Sequence, residues 1–235
     1  MKAIILAAGF VTLDPLAKDR PRSLILINEK PIIEHILEKL KLIKSIKKIY
    51  IITNDKFKPL FDAWINDYNS EKVEVLSNGV SIPEDLFGPV RDLYHTINTK
   101  KLRDDLLVIA GDNLFDFSLD NFVKNTDKIK IGVYDIKSPD LAKNYGVVKL
   151  KENKVINFKE KPRNPKTTTI STAIYLFPIS VMPLLNEFLD TDKESLGDFI
   201  KYLITQKEVY AHNFDGHWFD IDSFESLARA RDSYK

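Results

Sequence analysis

The chain has 235 residues, of which 35 are basic and 34 acidic, giving a formal net charge of +1 at pH 7. That balance excludes a global basic field for nucleic acid or an anionic membrane, so a phosphate ligand has to be held locally. Cysteine is absent, which excludes disulfides, thiolate metal sites and thiol nucleophiles and leaves oxygen and nitrogen chemistry. In chain order, the N-terminal "MKAIILAAGF" is a short apolar run, and Pro, Asp and Arg follow soon after. Neither a signal peptide nor a membrane span is expected there, and a cytoplasmic location is the default. Short apolar runs bounded by polar turns then recur as "AIILAA" near 3, "KIYIITN" near 48, "VEVLS" near 73, "DLLVIAGDN" near 105 and "IKIGVYDI" near 129. These read as strands.

Between the strands lie helical patterns. The clearest is the stripe Ile32, Ile33, Ile36, Leu37, Leu40 and Ile43, opened by Pro31. Others are expected near 57–68, 88–100 and 119–125. Runs that are apolar on both faces and alternate with helices predict an α/β fold, with helices covering both sides of a mostly parallel sheet. From about 145 the strands lengthen. "YGVVKLKENKVINFKEKP" predicts a hairpin turning at Glu152 to Lys154, followed by a strand in "TTTISTAIYLF", helices near 179–189 and 195–206, and a strand in "EVYAHNFDGHWFDI". Residues 1–235 are read as one domain, with 141–235 packed onto the sheet of 1–140.

Ligands on such sheets bind beyond the carboxyl ends of the strands, which directs attention to four places. Gly9 ends the first strand and presents backbone N–H groups with no side chain in the way, as a phosphate-binding turn or as a plain structural turn. Asp112, at the exit of "VIAGDN", is placed to hold Mg²⁺ or to sit in an ordinary turn. Asp220 ends a partly apolar strand and needs a cation, donors or water; Asp222 and Ser223 are better placed to cap the helix that follows. Lys161, in "FKEKPRNP", is either a phosphate ligand or a surface charge, and its neighbour Glu160 points the other way in extended chain. The four histidines, His35, His95, His212 and His217, read as surface or core-edge residues.

Together these pieces resemble the sugar-1-phosphate nucleotidyltransferases, also called nucleotide-sugar pyrophosphorylases. The family opens with LAAGxGTRLxPLTxxxPK, and this chain has "LAAGFVTLDPLAKDRPR", followed in family order by "GPVRDLYHTI", "VIAGDN", "YGVVKL", "FKEKP", "STAIYLF" and "WFDIDSFESLARA". The resemblance implies a Rossmann-like three-layer sandwich with a mixed, mostly parallel central sheet, the nucleotide-diphospho-sugar transferase fold. It implies a nucleotide-binding half over 1–140 and a sugar-phosphate-binding half over 141–235, in a short form without the β-helix domain. It also implies a Mg²⁺-dependent reaction in which a sugar 1-phosphate attacks the α-phosphorus of a nucleoside triphosphate and pyrophosphate leaves. By the same resemblance, Asp112 and Asp220 hold the metal, and Leu6, Ala8, Gly9 and Asp112 meet the nucleotide. Gly88 lies beside the base, Glu160 accepts sugar hydroxyls, and Lys161 holds the sugar phosphate. Arg22 stands where the family has its catalytic lysine. The partners implied are the two substrates, with no nucleic acid and no membrane; homo-oligomerisation is possible.

The chain departs from the pattern in its first loop. Val11-Thr12-Leu13 matches Gly-Thr-Arg-Leu only with one residue deleted, so the arginine on the β- and γ-phosphates has no counterpart, and Arg20 or Lys18 is a candidate replacement. Asp220-Ile221-Asp222-Ser223 replaces the family's Asp-Ile-Gly-Thr and adds a negative charge. Two readings follow: an active transferase, or a catalytically impaired homologue that binds nucleotide or nucleotide-sugar as a regulatory or partner subunit. The base and the acceptor, a sugar or a phospho-alcohol such as phosphocholine, are not readable from side-chain types.

Overall fold

The computed structural model describes residues 1–13 and 20–234. In chain order the elements are β1 (Lys2–Leu6), β2 (Leu26–Ile27), β3 (Lys30–Pro31), α1 (Ile32–Lys41), β4 (Ile49–Thr53), α2 (Lys58–Tyr68), β5 (Val73–Ser77) and α3 (Pro89–Thr99). Then come β6 (Leu106–Ala110), β7 (Asn113–Phe115), β8 (Ile129–Asp135), α4 (Pro139–Ala142), β9 (Gly146–Lys151), β10 (Lys154–Glu160) and β11 (Thr169–Phe177). The last are α5 (Met182–Leu189), α6 (Leu196–Gln206), β12 (Val209–Asn213), β13 (Trp218–Asp220) and α7 (Phe224–Ser233). No helix among the described residues is long and apolar enough to cross a membrane.

Nine strands form one sheet in the order β5-β4-β1-β6-β11-β8-β12-β10-β9. Pairing is parallel from β5 through β6 and between β8 and β12, and antiparallel where β11 and β10 enter. Only β11 and β10 therefore run against the others, so the sheet is mixed and mostly parallel, as expected. The chain leaves β1 toward β4 and β5, then returns to its other side with β6. That reversal opens a crevice at the carboxyl ends of β1 and β6.

Apolar residues on both faces of the central strands explain the three layers. On one face Ile5, Ile51 and Leu107 meet Ile33, Ile36 and Leu40 of α1 and Phe61 of α2. On the other, Ile4, Ile52 and Val108 share a core with Leu93 of α3, Phe188 of α5 and Phe199 of α6. Each such buried side chain contributes roughly 1.5–3 kcal/mol. A third cluster joins Leu227 and Ala230 of α7 to Ile25, Ile27, Leu114 and Ile221.

Two expected elements take another form. Residues 119–125 are turns rather than a helix. Leu119, Phe122 and Val123 are buried as a helical stripe would be, but Ser118 Oγ accepts from Asp120 N at 3.0 Å and Asn125 is left-handed at φ 52°. Short polar side chains there compete for the backbone. The final strand is broken into β12 and β13, because Asp215-Gly216 turns the chain, with Gly216 at φ 110°. The helix with the Ile32 stripe ends at Lys41, and Ile43 stays buried just beyond it.

Candidate active site

β1 delivers the Ala-Ala-Gly turn to the crevice, and its neighbours hold it there. Ala7 N donates to Ile52 O at 2.8 Å, Thr53 Oγ1 to Ala7 O at 3.2 Å, and Asn54 Nδ2 to Ala8 O at 2.9 Å. Gly9 has no left-handed φ, and among the described residues a Cβ on it would meet only Arg22 Nη2 at 3.7 Å. Its missing side chain is not demanded by backbone strain or by crowding from the described residues, and it leaves the turn bare toward the cleft among them.

Gly111 is a glycine for a different reason. It follows β6, its N–H donates to Leu6 O at 2.8 Å, and a Cβ would lie 2.7 Å from Ser23 Oγ and 3.0 Å from Leu6 O. This close approach sets Asp112 beside the short 3₁₀ turn Arg22–Leu24. Arg22 Nη1 then reaches Asp112 Oδ2 at 3.0 Å.

Asp220 arrives from more than a hundred residues away. β7 and β13 form a separate antiparallel ribbon in which Asn113 faces Asp220 and Leu114 faces Phe219, and Ile221 N donates to Asp112 O at 3.0 Å. Buried Asn113 ties the ribbon to the main sheet: it accepts from Trp218 Nε1 at 2.8 Å and donates to Thr172 O at 2.8 Å. The helix after β13 is capped by Ser223, which forms a capping box with Ser226, so Asp220 is free of that duty.

From the second half, Glu160 ends β10 and Lys161 follows in the left-handed region at φ 40°. Lys161 N donates to Tyr145 O at 3.1 Å. That turn lets consecutive residues both line the cleft, which a continuing extended strand would not allow. Backbone held in that region costs about 1–3 kcal/mol and persists where the surroundings enforce it.

Leu6, Ala8, Gly9, Arg22, Asp112, Glu160, Lys161 and Asp220 all line one cleft of about 430 Å³. Gly88 sits at its edge: Leu86, Phe87 and Pro89 are on the wall, while the Gly88 N–H donates to Glu194 Oε2 at 3.2 Å. Lys18 lies outside the described residues. None of the four histidines lines the cleft.

Among the described residues the cleft carries surplus negative charge. Burial, then the nearby Asp112 and Asp222 carboxylates, push the Asp220 carboxyl well above the usual range, against Arg22 and Lys161, which favour its ionised form. Burial also raises the Tyr145 phenol, helped by Asp220 and Asp222. Among the described residues no group of three His, Cys, Asp or Glu side chains is arranged to hold a metal unaided. Two carboxylates completed by water and substrate phosphates suit Mg²⁺, which keeps part of its hydration shell, and a cation there relieves the crowding of Asp112, Asp220 and Asp222.

Gly197 carried no sequence signal, and Tyr145, Asn113, Trp218 and the Ser171–Ala173 stretch stand inside the family-like motifs without having been singled out as site residues. The last is an irregularity in β11, where the register against β8 shifts between Ser171 and Tyr175 and Ala173 is left-handed at φ 56°.

A family model described as nucleotidyl transferase matches residues 2–235. Among curated proteins, the bifunctional protein GlmU of Methanocaldococcus jannaschii is 33% identical over 227 residues, covering 94% of this chain and 51% of the relative. GlmU of Methanococcus maripaludis is 31% identical over 229 residues, with 94% and 51% covered. The chain thus spans about half the length of the curated relatives it matches. Among solved structures, a Bacillus anthracis protein described as a glucose-1-phosphate thymidylyltransferase, in complex with a sucrose, superposes with a TM-score of 0.83 at 24% identity, over 98% of this chain and 94% of that one. A UDP-glucose pyrophosphorylase complexed with UDP-glucose gives 0.80 at 18% identity, over 99% and 97%. At these identities the two structures speak for the fold.

Proposed function

The chain belongs to the nucleotidyl transferase family, and from that premise we propose that it joins a nucleoside triphosphate to a sugar 1-phosphate, giving a nucleoside-diphosphate sugar and pyrophosphate. The observation that carries this reading is the convergence of Asp112, Asp220, Arg22 and Lys161, from four separated segments, around one cleft beside the bare turn at Ala8 and Gly9.

In this reading residues 1–140 take the nucleotide and 141–235 the sugar phosphate. Backbone groups at Leu6, Ala8 and Gly9 cradle the triphosphate, and the base lies toward Gly88. Lys161 neutralises and orients the sugar phosphate, and Glu160 accepts hydrogen bonds from sugar hydroxyls. An oxygen of the sugar phosphate forms a bond to the α-phosphorus while the bond from that phosphorus to the bridging oxygen of the β-phosphate breaks. The attacking phosphate is already ionised, so no side chain has to remove a proton, and the cleft's lack of a histidine is consistent with this. Aligned reactants and fixed positive charge supply the catalysis, with Arg22 facing charge that builds on the α-phosphate and the leaving pyrophosphate. Mg²⁺ held by Asp112 and Asp220 would supply further charge neutralisation between the phosphates. A cytoplasmic location belongs to the same reading.

One observation favours a second reading. In the first loop the arginine of the family pattern has no counterpart, and Arg22 is engaged with Asp112; a homologue that binds nucleotide-sugar without turnover fits that pairing. Pyrophosphate release with Mg²⁺, across the common triphosphates and a panel of sugar 1-phosphates and phosphocholine, separates the two. Turnover by the wild type that is lost in Asp112→Ala supports the transferase. No turnover with any pair, alongside calorimetric binding of a nucleotide, supports the binder.

A further inference from the structure

Helix α6 carries a glycine that its own backbone does not require. Gly197 sits in the first turn with no left-handed φ, and a helical glycine is less stable than alanine. What the position requires is empty space. A Cβ on Gly197 would run into Glu160 Oε2 and lie 3.0 Å from both Glu160 Cδ and Phe158 Cε1. Gly146 provides the matching clearance, since a Cβ there would overlap Phe158 Cζ.

Phe158 and Glu160 are two apart on β10, so their side chains share a face. Phe158 is fully buried and forms fixed floor. The Glu160 carboxylate takes no hydrogen bond or close ion pair among the described residues; the strand behind it, the ring beside it and the gap at Gly197 shape its place, with the Lys161 charge favouring its ionised form and Asp198 opposing it. The obstruction a methyl would meet first is the end of a flexible side chain, whose displacement costs the fold little. The glycine therefore matters for where the carboxylate rests more than for whether the helix forms.

We propose that Gly197 is a positioning residue for Glu160: its missing Cβ lets the carboxylate lie back against α6 on the cleft wall, where it can accept hydrogen bonds from the hydroxyls of a phosphorylated acceptor. This rests on the transferase reading and sharpens it, because the gap then selects hydroxyl-bearing acceptors over a phospho-alcohol without free hydroxyls. With a methyl at 197 the carboxylate swings into the space that the acceptor needs.

The test uses Gly197→Ala, Glu160→Ala and the double variant of the full chain, with the acceptor and triphosphate pair that the wild type turns over. Gly197→Ala is expected to raise the acceptor KM about tenfold, the scale of a lost hydrogen bond to a charged group. The triphosphate KM should stay within about twofold, and Gly197→Ala should add little to Glu160→Ala, as for residues acting through one contact. A rise in both KM values together, or full additivity, overturns the proposal. A second arm needs no turnover: ¹³C-carboxyl NMR titration of Glu160, assigned through Glu160→Gln. In wild type partial burial holds the Glu160 carboxyl above the ordinary glutamate range; in Gly197→Ala its titration should move from the wild-type curve toward that range, and an unchanged curve overturns the proposal. If the wild type turns over no pair, the transferase reading fails and this titration alone decides the positioning role. Should Gly197→Ala not fold, recovery of folding in the double variant supports the same clash, and failure of both variants to fold overturns it.

Discussion

The Arg22 guanidinium lies 3.0 Å from the Asp112 carboxylate, joining the only charged side chain of the first 3₁₀ turn to the acid at the exit of the central strand β6. Its other terminal nitrogen faces Gly9, so one side chain spans the proposed phosphate turn and the proposed metal carboxylate. Arg22→Ala is expected to lower turnover about 10²–10³-fold, the usual loss for one transition-state donor. Arg22→Lys should fall between wild type and Ala, because the ammonium keeps the charge without the planar fork. Steady-state pyrophosphate release measures both; equal activity of all three proteins would remove Arg22 from the reaction.

Asp92 gives a pH-dependent prediction. It is buried in the first turn of α3 and accepts from Asn78 Nδ2 at 2.8 Å. Burial pushes its pKa from 3.8 up to about 6, with Glu194 adding to the rise and the Asn78 bond opposing it. The folded protein thus holds this proton more tightly than the unfolded chain, so stability falls as pH rises from about 4 through 6. Asp92→Asn keeps an acceptor for Asn78 and removes the cost of ionising, on the order of 2–3 kcal/mol above pH 7. Denaturant melts should show the variant more stable at pH 8, with the gain shrinking toward pH 4; a pH-independent difference would count against this.

Two glycines should respond oppositely to a methyl. A Cβ on Gly88 would overlap Glu194 Cβ and lie 2.6 Å from Glu194 O and 2.9 Å from its carbonyl carbon, in a place where Val90 N also donates to Glu194 O. Main chain has to move, so Gly88→Ala is expected to lose about 1–3 kcal/mol. Gly9→Ala meets nothing closer than 3.7 Å among the described residues and should stay within about 0.5 kcal/mol of wild type, while crowding the turn proposed for the triphosphate. Thermal melts paired with nucleotide calorimetry distinguish the structural glycine from the binding one.

Asn113 is predicted to matter for both fold and metal. Asn113→Ala strands the buried Trp218 N–H and the Thr172 carbonyl, at about 1–3 kcal/mol for each unsatisfied group. Because β13 also carries Asp220, the variant should bind Mn²⁺ less tightly in the presence of nucleotide. Paramagnetic resonance of free Mn²⁺ reads that loss; unchanged metal affinity in a folded variant would separate Asn113 from the placement of Asp220.

Local pattern was enough for the alternation of strands and helices, because apolar residues on both faces of β1, β4 and β6 are legible without partners. It was enough for the hairpin at Glu152, where the chain is left-handed, and for the Ser223 cap, whose chemistry lies within a few residues. It misread 119–125, where burial imitates a helical stripe but Ser118, Asp120 and Asn125 supply turns, and it ran β12 and β13 together across Gly216. The sequence on its own could nominate Asp112, Asp220 and Lys161 by residue type near strand ends, and the family resemblance added Glu160 and Arg22. Only the tertiary structure brought them to one cleft. The β7 and β13 ribbon pairs segments a hundred residues apart, Ser23 closes on Gly111, and Glu160 rests where Gly197 has no side chain. Such approaches depend on which strands neighbour one another and on missing atoms at specific contacts, and neither leaves a periodic trace along the chain.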